Sequence, residues 1–144
     1  MKLTQILALT ALFMAPLAPA VAQDSEIVFA QEAGEATLSD FKWTARVLMV
    51  FADTPLDPNF REQMLLLADR PDALIERDVV VLTDTDPDAR NPIRLELRPR
   101  GFALVIVDKD SRVMLRKPSP WDVREITRAI DKTPLRQQEI ESGL

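Results

Sequence analysis

The chain has 144 residues, 47% of them hydrophobic and 28% charged, with a formal net charge of −5 and no cysteine, histidine or tyrosine. That length allows a single domain. The absent residue types exclude disulfides, thiolate nucleophiles, CxxC redox motifs, serine–histidine triads and histidine-ligated zinc.

The chain opens on a three-part pattern. Met1 and Lys2 give a basic start, Ile6 to Met14 form a mostly apolar run, and Pro16 and Pro19 loosen its end. Ala20-Val21-Ala22 then supplies a small-x-small cleavage site, so residues 1–22 read as a secretory signal peptide with Gln23 as the first mature residue. A membrane anchor needs about 20 continuous apolar residues, and this run is shorter and broken by Thr10 and two prolines. The expectation is a periplasmic or secreted protein with no membrane insertion once the leader is cleaved. Lys2 leaves with the leader, taking the net charge from −5 to −6. An acidic domain gains nothing from a phosphate backbone, which excludes nucleic acid as a partner.

Residues 23–37 are polar apart from Ile27-Val28-Phe29 and read as an N-terminal extension. The domain proper is expected over 38–133, with 134–144 as a C-terminal tail. Val47-Leu48-Met49-Val50-Phe51 is a continuous apolar run of strand length, the pattern of a strand buried on both faces. Ala52 to Asn59 is a loop containing two prolines and two aspartates. Asp57-Pro58 marks a helix start, aspartate as N-cap and proline at the first helical position. Phe60, Met64, Leu67 and Ala68 share one face of that helix, and Arg70-Pro71 ends it. Val79-Val80-Val81-Leu82 is a second buried strand. Two such strands around a helix make a βαβ unit with parallel pairing.

Thr83 to Gly101 is polar, with Leu95 and Leu97 in either a short helical turn or an irregular segment. Phe102–Val107 and Arg112–Arg116 are expected as an antiparallel hairpin around the turn Asp108-Lys109-Asp110-Ser111. Ser119-Pro120-Trp121-Asp122 opens the last helix, with Ser119 as its cap and Asp122 completing a capping box. Val123, Ile126 and Ile130 form its apolar stripe. The order βαβ followed by ββα is that of a thioredoxin-like α/β domain, a central mixed sheet of about four strands flanked by helices. Pro134 stops the last helix, so the tail takes a new course.

Four stretches carry a resemblance that covers about residues 38–140. They are Phe41-Lys42-Trp43-Thr44-Ala45-Arg46 leading into the first buried strand, Glu76-Arg77-Asp78 before the second, Gly101-Phe102 through Asp108-Lys109-Asp110, and Ile130-Asp131-Lys132-Thr133-Pro134-Leu135-Arg136-Gln137-Gln138-Glu139. Together they resemble a little-characterised bacterial secreted family, a domain of unknown function. That family is related to the peroxiredoxin-like domains of sushi-repeat-containing matrix proteins. The resemblance implies a thioredoxin-like fold and no established activity. Peroxiredoxin-type relatives need a cysteine in the loop after the first strand, and this chain has none, so peroxidase function does not carry over. Thioredoxins also place a cis-proline directly ahead of the third strand, whereas Pro99 here stands two residues too early.

An open α/β sheet puts ligands at the carboxyl ends of its parallel strands. That makes Asp53, Thr54 and Asp57 a candidate ligand loop. Redox thioredoxins keep their cysteines there because a helix N-terminus stabilises a thiolate. Asp84, Asp86 and Asp88 alternate like the first ligands of a calcium loop, but Ala89 and Leu95 stand where the pattern wants glycine and glutamate. They read as a solvated acidic loop. No pair of carboxylates can be singled out for glycoside hydrolysis, and Trp43 and Trp121 read as core or half-buried packing residues. Gly34 and Gly101 are isolated, so no phosphate-cradling loop is present. No catalytic residue, cofactor or metal is assigned.

Two functions stay open. One is a non-catalytic domain binding a protein, peptide or small ligand. The alternative is an enzyme with thiol-independent chemistry at the loop after the first strand. The candidate interaction residues are Asp131, Pro134, Leu135, Arg136 and Glu139. Arg136 either anchors the tail through an ion pair with Asp131 or Glu139, or presents its donor fork to a partner's carboxylate, with Leu135 and Ile140 as apolar anchors.

Overall fold

The computed structural model describes residues 29–144. The expected leader, its cleavage site and Ile27-Val28 lie outside these residues. The strands are β1 (Ala30–Glu32), β2 (Arg46–Phe51), β3 (Val79–Asp84), β4 (Ala103–Val107) and β5 (Val113–Lys117). The helices are α1 (Pro58–Asp69), α2 (Pro71–Ile75), α3 (Pro92–Leu97), α4 (Val123–Asp131) and α5 (Pro134–Glu141), with single 3-10 turns at Leu38–Phe41 and Pro87–Ala89.

β2 is buried along its whole length, as its unbroken apolar run requires. It lies in the middle of a mixed sheet ordered β1-β3-β2-β4-β5, parallel to β3 and antiparallel to β4. The pleat sends its side chains alternately to two cores. Leu48 and Val50 join Val81, Leu104 and Ile106 under α1, α2 and α4, against Leu67, Leu74, Ile126 and Ile130. Val47, Met49 and Phe51 face the other way, against Leu38, Ile93 and Leu97. Helices on both faces of a mixed sheet are the thioredoxin-like arrangement expected from the element order.

The structure departs from expectation in four places. The sheet has five strands rather than about four, because Ala30-Gln31-Glu32 pairs in parallel with Val81-Leu82-Thr83 at the edge. An edge strand needs no apolar alternation, so nothing in these three residues announced it. On α1, Gln63 is buried in the place the expected stripe gave to Ala68, which is exposed. The tail takes a new course after α4 ends at Asp131, but that course is a helix opened by Pro134. This proline is the first residue of α5, capped by Thr133, and is tolerated there because its missing N–H would be unpaired anyway.

The start of α4 is the fourth correction. Ser119 is exposed and does not cap it. Asp122 is the N-cap, its Oδ1 accepting from the Glu125 N–H at 2.8 Å. Gln63 explains the shift. Its Nε2 donates to the Trp121 carbonyl at 2.8 Å and its Oε1 accepts from the Trp121 N–H at 2.9 Å. Both backbone groups of Trp121 are therefore committed to α1, and the helix begins after it. Asp122→Ala is expected to cost about 1 kcal/mol, with Ser119→Ala leaving the urea midpoint where it is. A midpoint that moved for Ser119 and not for Asp122 would reverse the assignment.

Candidate functional site

Two ends of the sheet gather polar groups. At the upper end, the carboxyl ends of β2 and β3 meet the start of β4, since Phe51 pairs with both Asp84 and Ala103. The loop 52–57 leaves from here into α1. Asp57 caps that helix, its Oδ1 accepting from the N–H groups of Asn59 at 2.8 Å and Phe60 at 3.3 Å. The helix end that could stabilise an external anion or a thiolate is thus closed by the chain's own carboxylate. Asp53 and Thr54 are exposed on the same loop.

Beneath the loop, Arg94 of α3 is buried and ties three segments together. Its Nε donates to Asp84 Oδ2, and its Nη2 donates to the carbonyls of Ala52 at 2.9 Å and Asp84 at 3.2 Å. Its guanidinium lies 5.4 Å from the centroid of the Phe51 ring. Asp53 is only a distant neighbour, 3.9 Å from Nη1. Asp84 is therefore not part of a solvated acidic loop, being 6% exposed and paired with Arg94. Asp86 and Asp88 do not turn toward it as ligands. Asp84 Oδ1 instead accepts from the Asp86 N–H at 3.0 Å and Asp86 Oδ1 from the Asp88 N–H at 3.1 Å, each shaping the turn. Among the described residues no three acidic side chains converge as a metal site.

The lower end holds a closed ionic cluster. Arg46, the first residue of β2, is fully buried. Its Nη1 and Nη2 donate to the two carboxylate oxygens of Glu139 at 3.1 and 3.2 Å, a two-pronged pair across the fold. Its Nη1 also donates to the Arg77 carbonyl at 2.9 Å. Its Nε lies 3.0 Å from Asp108 Oδ1, close enough for strong attraction but not aligned as a hydrogen bond. Lys109 Nζ bridges Glu139 and Asp78, at 2.7 Å from each. Arg77 donates from Nε and Nη2 to the two oxygens of Asp131, each at 2.8 Å. Arg136 completes the ring, 3.1 Å from Glu139 and 3.6 Å from Asp131. Four cations face four carboxylates, and α5 is held to the base of the sheet by them.

All the expected tail residues fall at this cluster. Asp131 and Glu139 are members, Arg136 is turned inward with a side chain 13% exposed, and Pro134 starts the helix that carries them. Leu135 is half-buried and Ile140 half-exposed beside them. Arg46 was not singled out. Arginine directly before an apolar run reads as a strand end, and its partners lie up to 93 residues away in sequence. A signal was present, though. Arg46, Arg77-Asp78, Asp108-Lys109 and Asp131–Glu139 each come from one of the four stretches that carry the family resemblance.

Trp43 was also misplaced by its chemistry. It is 63% exposed rather than packed, and its backbone is left-handed at φ 63°. A bulky side chain pays on the order of 1–3 kcal/mol for that conformation. Its N–H donates to the Lys109 carbonyl at 2.7 Å, which fixes it to the turn above the ionic cluster. The indole borders a cleft of about 300 Å³ with Lys109, Leu135, Gln138, Glu139 and Leu144. Trp121 is half-buried, as expected.

The fold and its upper loop define a thioredoxin-like domain without the thiol. Residues 37–139 match the family described as a domain of unknown function, DUF4174, and the chain belongs to that family. No curated protein matches the sequence. Among solved structures it is similar to the reduced 2-Cys peroxiredoxin of Plasmodium vivax, at 18% identity and a TM-score of 0.55. That match covers 72% of this chain and 84% of the other. It is also similar to the mitochondrial 2-Cys peroxiredoxin of Plasmodium falciparum, at 17% identity and a TM-score of 0.51, covering 74% and 84%. These likenesses establish the fold.

The cluster makes a pH prediction. Burial opposes ionisation of Glu139, but hydrogen bonds from Lys109, Arg46 and Arg136 outweigh it and hold its carboxyl down at about 2, against an ordinary 4.5. The Arg77 hydrogen bond lowers Asp131 in the same direction, against desolvation. A depressed folded-state pKa gives stability that is complete above the unfolded value and drains as pH falls through the folded one. Stability is therefore expected to decline between pH 4.5 and about 2. Glu139→Gln should be less stable at pH 7 and show a much flatter acid limb in thermal melts. An acid limb identical to that of the parent would show that Glu139 does not carry the dependence.

Proposed function

We propose that this chain is an exported, non-catalytic thioredoxin-like domain that binds a protein partner through the face formed by Trp43 and α5. The observation that carries the reading is Trp43 itself. A large aromatic held by a backbone hydrogen bond in a costly conformation, with its ring turned to solvent outside both cores, has the character of an interface anchor, where tryptophan is enriched. Leu135 and Leu144 add apolar surface around it. In this reading Asp131, Arg136 and Glu139 are the scaffold that positions the face, and the apolar residues contact the partner.

Support for the absence of catalysis comes from the upper loop. The chain has no cysteine, and Asp57 spends the α1 N-terminus on its own carboxylate. Export rests on the leader pattern of residues 1–22, and N-terminal sequencing of the mature protein at or near Gln23 would support it. The experiment is crosslinking of the mature protein in periplasmic extract, repeated with variants. Trp43→Ala is expected to lose the crosslinked partner at an unchanged melting temperature. Asp53→Asn and Asp57→Asn should keep it, and Arg136→Ala should lower the melting temperature. Insulin reduction or thiol-dependent peroxide consumption by the purified protein would overturn the proposal. Loss of binding through the two loop variants alone would move the site to the upper end.

A further inference from the structure

One concavity of the described structure gathers four cations and no acid on its walls. It lies at the upper rim, with a volume of about 420 Å³. Arg98 and Arg100 come from the loop after α3, Arg116 and Lys117 from the end of β5, and Phe102 and Pro118 supply apolar wall. No acidic residue lines it. Among the described residues none of these four cations lies within salt-bridge distance of a carboxylate. The concentration of positive charge stands out on a chain whose net charge is −5.

The backbone builds this arrangement. Arg98 ends α3 in the left-handed region at φ 49°, its N–H donating to the Arg94 carbonyl at 2.8 Å. Gly101, at φ 59°, then turns the chain into β4. The guanidinium of Arg116 is fixed across the cleft by donation from Nη2 to the Leu97 carbonyl at 2.8 Å. Lys117 Nζ sits 4.2 Å from the centroid of the Trp121 ring. Two cations are thus positioned, while Arg98 and Arg100 are exposed with their donor forks free of any acid. Like charges gathered in one concavity repel each other and gain only when a counter-charge arrives.

We propose that this cleft binds a small ligand carrying oxyanions on an apolar body, an organic phosphate or an organic carboxylate. Guanidinium forks match both headgroups through paired hydrogen bonds. Phe102 and Pro118 receive the apolar body, and the volume falls in the range of small-molecule sites, roughly 300–1,000 Å³. The cleft is at the opposite end of the sheet from the Trp43 face, so the two sites stand or fall separately. It borders the loop after β2 through the pairing of Phe51 with Ala103.

Titration calorimetry at low ionic strength with phenyl phosphate, phthalate and inorganic phosphate tests the proposal. At least one aromatic anion should bind ten times or more tightly than inorganic phosphate, and the tighter of the two identifies the headgroup. Amide shifts should concentrate at Arg98–Ala103 and Arg116–Lys117. The double variant Arg98→Gln with Arg100→Gln should lose at least tenfold in affinity at an unchanged melting temperature. The single variant Arg100→Gln should weaken binding in the same sense, which guards against a folding effect of the pair. Lys132→Gln, at the other end of the molecule, should bind as the parent does. The proposal is overturned if neither aromatic anion binds, if inorganic phosphate binds as tightly, or if the arginine variants keep full affinity.

Discussion

The pair formed by Arg46 and Glu139 is the constraint on which the lower half of the molecule depends. A guanidinium with no solvent access is tolerable only with its charge paired, because an isolated buried ion is far more costly than a paired one. Glu139 meets that demand from outside the sheet, and so α5 must be where it is. The second oxygen of the same carboxylate draws in Lys109, whose carbonyl in turn fixes Trp43. Asp108, Lys109 and Asp78 all stand at strand ends, so the network also sets where β3 begins and β4 finishes. Removing Glu139 would leave Arg46 short of its main partner in the interior, and breaking a buried pair of this kind costs about 3–5 kcal/mol.

The upper end follows a different logic. Arg94 and Asp84 form a second buried pair, and Arg94 also donates to the backbone carbonyls of Ala52 and Asp84, where β2 and β3 end. These bonds fix the loop that a thioredoxin-like enzyme would use. With Asp57 closing the helix, the region is well ordered and its strongest donors are already engaged. What remains open to a ligand lies to one side, in the loop between α3 and β4.

The parts of this fold that were legible in the sequence are those whose cause is local. The apolar run Val47–Phe51 needed only a count of consecutive residues, the hairpin needed only Asp108-Lys109-Asp110-Ser111, and Asp57-Pro58 carried its own cap and its own first turn. The parts that were not legible have distant causes. Ala30-Gln31-Glu32 becomes a strand because β3 offers it an edge. The cap of α4 moves to Asp122 because Gln63, 58 residues away from Trp121, holds that backbone. Trp43 is exposed although its composition argues for burial, since the left-handed turn at its Cα aims the indole outward. The residues of the tail were legible but its helix was not, because Pro134 reads equally as a stop or as a first helical position. Of the charged cluster only the local pairing of Arg136 with Asp131 or Glu139 was legible, and nothing short of the fold brings the other three stretches to it.

The two outer strands have a consequence for how the protein behaves at high concentration. A sheet that is not closed leaves backbone donors and acceptors along both borders, and such borders invite pairing with another copy. Here one border is three residues long, with Gln31 and Glu32 exposed, and the other carries Arg112, Arg116 and Lys117 along or beside it. One side is too short and too polar to template a neighbour, and the other repels its own kind. Opposite charge at the two borders leaves head-to-tail stacking as the residual hazard, and the shortness of β1 limits it to a few hydrogen bonds. Among the described residues, edge pairing is thus restrained by the shortness of one border and the positive charge of the other.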